Sequence, residues 1–528
     1  MMKKTKFKVK NTKFENGDIL VSALVFAAVA LTIIVSMANW GAAILSGIRT
    51  TATKEQGFQI AEAGIDYYRW HLAQYPTDYK DGTATSGPYY HSFYDKNNNI
   101  IGGYSLSIVP PPLGSTKVVI TSTATTTANP GIKKIVQATL AEPSLAQYAV
   151  VANDYMRFGA GTTINGPITS NHGIHFDTGA VANNVISSAL ATDTDPDSGQ
   201  TEWGVWTDAD PAYNIHTSPP TNSQGVFLAG RQYPVPAIDF TGLTLNLANL
   251  KSLADSTGYD FAKSKYTSGH STKNGVGYHM VLSPPNISYP NGYFTLYVVT
   301  ATVNPPNWCG NDYTAQNQAQ WGTWSIQSET PYTLGGKSNG IYAIPSNGII
   351  FFQDNVWVDG QINNERLTIA TGILPDPGPS GEPSINVGGV NPDDNGNLLY
   401  TNFNGNDTIG LIAQGNINVP LASPDTVTID AALMAENGRV GRYYYSSYCT
   451  LSDPKYPSNS SNRYYYTRSI LNNIGMIATN ERYGFAYTDN TGYDTRNLDY
   501  DGNLLYSPPP NFPLASTQYQ TVSWKQLQ

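Results

Sequence analysis

The chain opens with an uninterrupted apolar block. Residues Ile19 to Ile48 carry no charge, and Ile19 to Ala38 is almost wholly apolar, about the length that crosses a bilayer as a helix. Further on, the apolar positions thin to a stripe. Ala61, Ile65, Tyr68 and Leu72 recur at helical spacing, with Glu62, Asp66 and Arg69 between them. Pro76 is the first proline in the chain and a natural stop. The pattern predicts one helix from Ile19 to Tyr75, about 85 Å long at 1.5 Å per residue. A membrane takes only about 30 Å of that, so the rest forms a stalk whose apolar stripe must be covered. Gly41, Gly47, Gly57 and Gly64 weaken such a helix, and a bend or melted turn is expected.

After Pro76 the period changes to that of strands. Tyr104, Leu106 and Ile108 alternate with serines. Residues 117–125 (KVVITSTAT) and 132–140 (IKKIVQATL) are β-branched runs bounded by Pro110-Pro111-Pro112 and Asn129-Pro130-Gly131. These predict a small antiparallel meander within residues 76–145. From about residue 148, short β stretches recur with Gly or Asn at their corners. They include 162–170 (TTINGPITS), 173–176, 348–360 (GIIFFQDNVWVDG), 367–370, 409–419 (IGLIAQGNINV), 426–435 (TVTIDAALMA) and 474–478. Asparagine tolerates left-handed corners and can stack into ladders, so 146–528 reads as a β-solenoid. The irregular period keeps a β-sandwich as the alternative. Residues 190–340 and 440–470 read as loop-rich insertions, with a short amphipathic helix at Leu245 to Ala254. The expected fold class is α+β: a long N-terminal transmembrane helix on a small sheet, followed by a mainly β domain.

Charge sets the orientation. Lys3, Lys4, Lys6, Lys8, Lys10 and Lys13 precede the apolar block against one acid, Glu15. That bias holds the N-terminus in the cytoplasm and sends the rest outward. Three readings of the segment stay open. A secretory signal would be cut near Gly41-Ala42-Ala43, but its apolar core is normally shorter. An uncleaved anchor would keep everything. A prepilin-type leader (residues 1–17) would be cut after Gly17, leaving Asp18 at the new N-terminus and retaining the helix (18–75).

Composition narrows the function. The 528 residues amount to two to four domains' worth of chain. Only 13 % of them are charged, about half the usual share, while there are 36 Tyr, 48 Gly and 34 Pro. A surface built from amides, hydroxyls and phenols suits an extracellular β protein. The net charge of −9 argues against a nucleic-acid partner. The two cysteines, Cys309 and Cys449, are a candidate disulfide in an exported protein. Closing that loop would contribute roughly 4 to 5 kcal/mol in the chain-entropy model; two separate thiols are the alternative.

Here the residues resemble a family. The basic leader, Gly17, the long apolar helix and then Phe58-Gln59-Ile60-Ala61-Glu62-Ala63-Gly64-Ile65 are similar to the PilX-type minor pilins of type IV pilus systems. The resemblance implies a helix on a pilin-like meander, cleavage by a prepilin peptidase after Gly17, N-methylation, and other pilins as partners through the helix. It departs at the fifth residue of the mature chain. Major pilins carry glutamate there, whereas this chain has Ser22. The K-type minor pseudopilin of the related type II secretion systems also lacks that glutamate and is placed at the tip. The resemblance therefore implies a tip or rare position, in the cytoplasmic membrane with the C-terminus outside, and on the cell surface after assembly.

The functional expectation is a minor pilin that primes or caps a filament and presents an adhesive domain to a host surface or carbohydrate. Aromatics such as Tyr443-Tyr444-Tyr445, Tyr464-Tyr465-Tyr466, Trp321 and Trp324 would supply stacking faces where exposed, with core or inter-loop packing as the plainer reading of each cluster. The alternatives are a membrane-anchored surface protein with no filament role, and an exported carbohydrate-active β-helix enzyme. No H-E-x-x-H or P-loop pattern is present, and an enzyme is not expected. No cofactor is expected apart from calcium. Asp193, Asp195 and Asp197 alternate like calcium ligands, although Pro196 interrupts them and Gly199 is one residue out of step with an EF-hand loop. His172 and His175 with Asp177 are a second metal candidate, with polar residues at a turn as the plainer reading.

Overall fold

The computed structural model describes residues 16–220, 225–240, 245–304, 309, 322–334, 339–388, 396–449 and 464–527, without the side chains of 16–18, 245 and 246. The chain divides into two compact units. One comprises Met1–Val109, Val119–Thr139 and Thr521–Gln528, the other Pro110–Val118 and Leu140–Gln520.

The first unit is built on helix α1, Asn16–Gln74, 59 residues long. It runs as helix through Gly41, Gly47, Gly57 and Gly64, so no melted turn interrupts it. For Gly64 the reason is packing rather than flexibility. A Cβ there would run into Ser122 Oγ and stand 2.9 Å from the Tyr104 ring. The glycine lets the helix backbone approach the sheet, and Ile60, Ala61, Ile65, Tyr68 and Leu72 are buried around it. The sheet contains β1 (Tyr89–Tyr94), β2 (Ile100–Val109), β3 (Val118–Thr126) and β4 (Lys133–Ala141), with Gln520–Gln526 added beside β4. The β1–β2 and β2–β3 pairs are antiparallel. The sequence pattern anticipated the last three of these four strands. Two strands differ from it: β1, and the returning strand 520–526, which lies far from the meander in sequence. The turn after α1 is tied down by Asp78, whose Oδ2 meets His71 Nε2 at 2.9 Å and whose carbonyl accepts from Tyr68 Oη at 2.7 Å.

The second unit is mainly β, and its central feature is a stack of parallel strands. In spatial order they are Tyr259–Phe261, Ile349–Phe352, Arg366–Thr371, Thr408–Ala413, Thr426–Ala435, Thr467–Thr479, Val150–Ala152, Ile168–Ser170, Ile186–Ser188 and Arg231–Gln232. The chain therefore joins the stack in its middle, where Val150 pairs with Ile477. It builds one arm to Gln232, crosses to the far end, and stacks back to Thr479. A second parallel column runs Gly277–Ser283, Val356–Ile362, Ile385–Val387, Ile417–Asn418 and Val440–Gly441. Alternate residues of these short strands point inward. Ile350, Phe352, Ile369, Leu411, Leu433, Ile477, Val150 and Ile168 are all buried in one apolar core.

Helix α2, Leu245–Thr257, covers part of the outward face. Its Leu247, Leu250 and Ala254 are buried with Ile349, Phe351, Ala370, Ile412, Ala432 and Met434, as the amphipathic pattern anticipated. Residues 190–340 are more than the loop-rich insertion expected from sequence. They supply the end strand Tyr259–Phe261 and the antiparallel pair Gly277–Ser283 with Tyr293–Thr302.

Candidate functional site

Three features carry candidate function. The first is the outer half of α1. From Ile19 to Ile48 its large apolar residues, among them Leu20, Leu24, Phe26, Ile34, Trp40 and Leu45, are exposed. By length and composition the helix is capable of crossing a membrane. Gly17 and Asp18 fall in its first turn, and Ser22 is exposed. The lysines of the leader lie outside the described residues.

The second feature is an open cleft of about 1460 Å³ on the β unit. Its floor includes Thr169, Ser187 and Gln232, which are neighbours in register on three successive parallel strands. Residues 235–239, Pro508, Pro509 and 511–518 line it further, with Tyr148 and Phe512 contributing aromatic surface. Among the described lining residues Asp239 carries the one formal charge. Sequence reasoning missed this cleft, because residues more than 300 positions apart build it.

The third is the acidic and histidine-bearing corner around residues 172–208. Asp193, Asp195 and Asp197 do not converge on a common point. Asp193 Oδ2 accepts from Gly173 N at 2.7 Å and meets His172 Nδ1 at 3.1 Å. Asp195 accepts from Asp197 N and Ser198 Oγ at 2.9 and 3.0 Å. Asp197 is held by two guanidiniums: Arg482 donates to both its oxygens, at 2.8 and 2.6 Å, and Arg157 Nη1 to Oδ2 at 2.8 Å. The Arg482 and Arg157 bonds hold its carboxyl down at about 2, against the burial that would raise it. The cations at Asp197 are thus side chains of the protein, while Asp193 and Asp195 are held by N–H and hydroxyl groups of their own corner.

A different trio converges here: His175, Asp177 and Asp208 offer ligand atoms within 4.8 Å of one another. His175 Nε2 stands 2.9 Å from Asp208 Oδ1 and 3.5 Å from Asp177 Oδ1. Its ring stacks on Trp206 at 3.7 Å, and Trp206 Nε1 donates to Tyr155 Oη at 2.9 Å. Two observations count against a metal at this point. Arg157 Nε already donates to Asp177 Oδ1 at 2.8 Å, and His175 Nδ1 is buried without an acceptor, whereas a ligating imidazole normally donates its second N–H to a fixed partner. The chain Arg482–Asp197–Arg157–Asp177–His175–Asp208 is better described as a charged clamp on the turn at 193–208. His172 stands apart from it, paired with Asp193.

The aromatic runs are largely core, the plainer of their two readings. Tyr443, Tyr444, Tyr445 and Tyr465 are buried, whereas Tyr464 is exposed. Buried arginines accompany the rings: Arg442 lies over Tyr445 and Tyr493 at 5.3 and 5.6 Å, Arg439 over Tyr443 at 5.1 Å and Arg468 over Tyr465 at 4.3 Å. Trp324 packs partly buried against the same cluster, and Trp321 lies outside the described residues. Cys309 and Cys449 are bonded in this cluster, with Cα atoms 4.1 Å apart.

No family model matches this chain, and no curated protein matches it. Among solved structures, the crystal structure of the competence-associated pilin ComZ from Thermus thermophilus is similar over 90 % of this chain and 98 % of that one, at 14 % identity and a TM-score of 0.31. A likeness at that score carries no argument about this chain's fold or activity.

Proposed function

We propose that this chain is a minor pilin-type subunit that primes or caps a type IV pilus-like filament and presents its β unit as an adhesive surface. The observation that carries the reading is the division of α1. Its outer half is bare and apolar, suited first to the membrane and then to neighbouring pilin helices, while Ile60, Ala61, Ile65, Tyr68 and Leu72 are buried against a small sheet. The basic leader ending in Gly17 supplies the processing signal for a prepilin peptidase, with Asp18 as the methylated new N-terminus. Ser22, in place of an acid at the fifth mature position, favours the tip over the shaft.

We read the β unit as a β-solenoid rather than a sandwich, supported by ten strands in parallel register and by side-chain amide ladders at its corners. The adhesive role rests on the neutral cleft. Binding is favoured over glycoside hydrolysis, because that chemistry generally takes a pair of carboxylates and the lining offers Asp239 alone. A plain membrane anchor is the second reading, favoured by the same Ser22.

The deciding experiment is the N-terminal sequence and intact mass of the protein isolated from membranes of its own host. A chain beginning at Asp18 is the expected result. A retained leader would reduce the protein to an anchored surface protein, and a start near Ile44 would make it a secreted one.

A further inference from the structure

One row of side chains follows the outward face of the strand stack from Phe351 to Gln232, and it changes character part-way. Phe351 pairs in register with Ala370, Ala370 with Ile412, Ile412 with Met434 and Met434 with Ala478, so these side chains share one face. They are apolar and buried in one cluster with Leu247 and Leu250 of α2 and with Leu504 and Phe512. The row continues through Val151 to Thr169, Ser187 and Gln232. There it turns polar, and there the cleft begins, with these last residues as its floor. Thr169 is buried, Ser187 half-buried and Gln232 exposed, so the floor opens toward the end of the arm. A stretch of sheet that another element covers stays apolar, as the first half of the row does. The change of residue type marks a face built to meet a polar ligand.

The chemistry of that face is specific. Among the described lining residues none is cationic and Asp239 is the one acid, so an anionic ligand finds no counter-charge. Hydroxyls and amides supply the polar groups. Ser187 Oγ donates to the Ile168 carbonyl at 3.1 Å and keeps lone pairs for an outside donor. Gln232 presents an exposed amide, which both donates and accepts. Tyr148 adds a half-buried ring, and Pro236, Pro508 and Pro509 add apolar surface. Neighbouring strands lie ~4.8 Å apart, so the floor from Thr169 to Gln232 spans about 10 Å along the stack. A peptide that adds a strand needs an open edge, and the end strand beside the floor, Arg231–Gln232, is two residues long.

We infer, resting on the adhesive reading of the same cleft, that it binds a neutral, extended glycan: a β-linked chain of pyranose rings lying along the stack. Such a chain repeats at nearly the spacing of the strands, so successive rings meet successive floor residues. Its hydroxyls donate and accept, which suits Ser187 Oγ and the Gln232 amide. The apolar faces of its rings suit Tyr148 and the prolines. It carries no charge, in keeping with a lining that has no cation to offer. An α-linked chain coils and falls out of step with a straight row of side chains.

The test uses the full chain in detergent, titrated by calorimetry with cellohexaose and chitohexaose. Maltohexaose is the coiled control and an oligogalacturonate the charged one. Saturable binding of a β-linked chain, tighter than of either control, is expected. Gln232→Ala and Tyr148→Ala should each weaken it roughly three- to tenfold. Gln232 is exposed, so its variant keeps the fold and decides the matter should Tyr148→Ala fail to fold. No binding of either β-linked chain, controls that bind as well, or an affinity unchanged in Gln232→Ala overturns the inference. Beads coated with the full chain separate this failure from that of the adhesive reading. Beads that hold to collagen but not to cellulose or chitin overturn the glycan and leave adhesion standing; beads that hold to none of the three overturn both.

Discussion

Asn153 Nδ2 donates to Asn480 Oδ1 at 2.9 Å, although the two residues are 327 positions apart. Asn171 Nδ2 continues the row onto Asn153 Oδ1 at 2.7 Å, and Asn480 Nδ2 extends it to the Asn437 carbonyl at 3.2 Å. These amides lie at the corner beside Val150 and Ile477, where the arm that ends at Gln232 meets the arm that ends at Thr479. The backbone ladder and the amide row together join the two arms.

Asn153→Ala removes the middle of that row; the half-buried amides of Asn171 and Asn480 lose one bond each and keep those to Ile238 and to the Asn437 carbonyl. A loss of about 1 to 2 kcal/mol in the stability of the β unit is expected. Chemical denaturation of the native chain and the variant measures it. Equal midpoints would show that water replaces the row at no cost.

Gly64→Val tests whether the Ala-Glu-Ala-Gly stretch is a packing device. Its Cβ would meet Ser122 and Tyr104, and the helix must move off the sheet. Overpacking of this kind costs about 1 to 3 kcal/mol. Gly41→Val is the control, since a Cβ there has nothing within 4 Å. Thermal unfolding should show the first variant lowered and the second close to native; the same result for both would mean that helix propensity, not packing, governs these positions.

His279 makes stability depend on pH on the alkaline side. It is buried, with Nδ1 at 2.7 Å from Glu329 Oε2 and Nε2 at 3.4 Å from Asp359 Oδ2. Burial alone would lower its pKa, but the two carboxylates outweigh it and carry the ring up to about 9. A folded value above the unfolded one of about 6.5 stabilises fully below that pH, and the contribution is lost as pH rises through about 9. It amounts to about 3 kcal/mol at most. The thermal midpoint of the native chain should exceed that of His279→Gln at pH 6, and the gap should narrow by pH 9.5. A gap that stays constant would mean the ring is neutral throughout.

The parts of the fold that were legible in the sequence are the local ones. The uncharged run from Ile19 and the spacing of Ala61, Ile65, Tyr68 and Leu72 give α1 directly, because a helix satisfies its backbone within itself. The strands β2 to β4 follow from alternation, and Leu247, Leu250 and Ala254 mark α2. The entry of Val150 into the middle of the stack was not legible. Its strand is three residues long, and its partner Ile477 is fixed by register rather than by any nearby signal. The run Tyr443-Tyr444-Tyr445 by itself leaves core and surface both open; the fold decides for core, with Arg439 over Tyr443 and Arg442 over Tyr445.

Arg442 carries the last prediction. Its guanidinium is fully buried and meets four acceptors: Nη1 donates to the Pro420 carbonyl at 3.0 Å and to Ser423 Oγ at 2.6 Å, and Nη2 to the carbonyls of Leu421 (3.0 Å) and Tyr465. Burial lowers its pKa, opposed by the facing rings of Tyr493 and Tyr445. A planar, delocalised cation with donors on two nitrogens suits this set of carbonyls, and an ammonium does not. Arg442→Lys keeps the charge but reaches fewer of the acceptors and loses the flat face against the tyrosines. A loss of about 2 to 4 kcal/mol is expected, most of it from buried carbonyls left unpaired. Because Tyr445 and Tyr465 share this cluster with Cys309 and Cys449, the variant's disulfide should also be reduced faster by a mild thiol than that of the native chain. Reduction followed by mass spectrometry measures this. An unchanged rate alongside the lost stability would separate the arginine's role in packing from any protection of the disulfide.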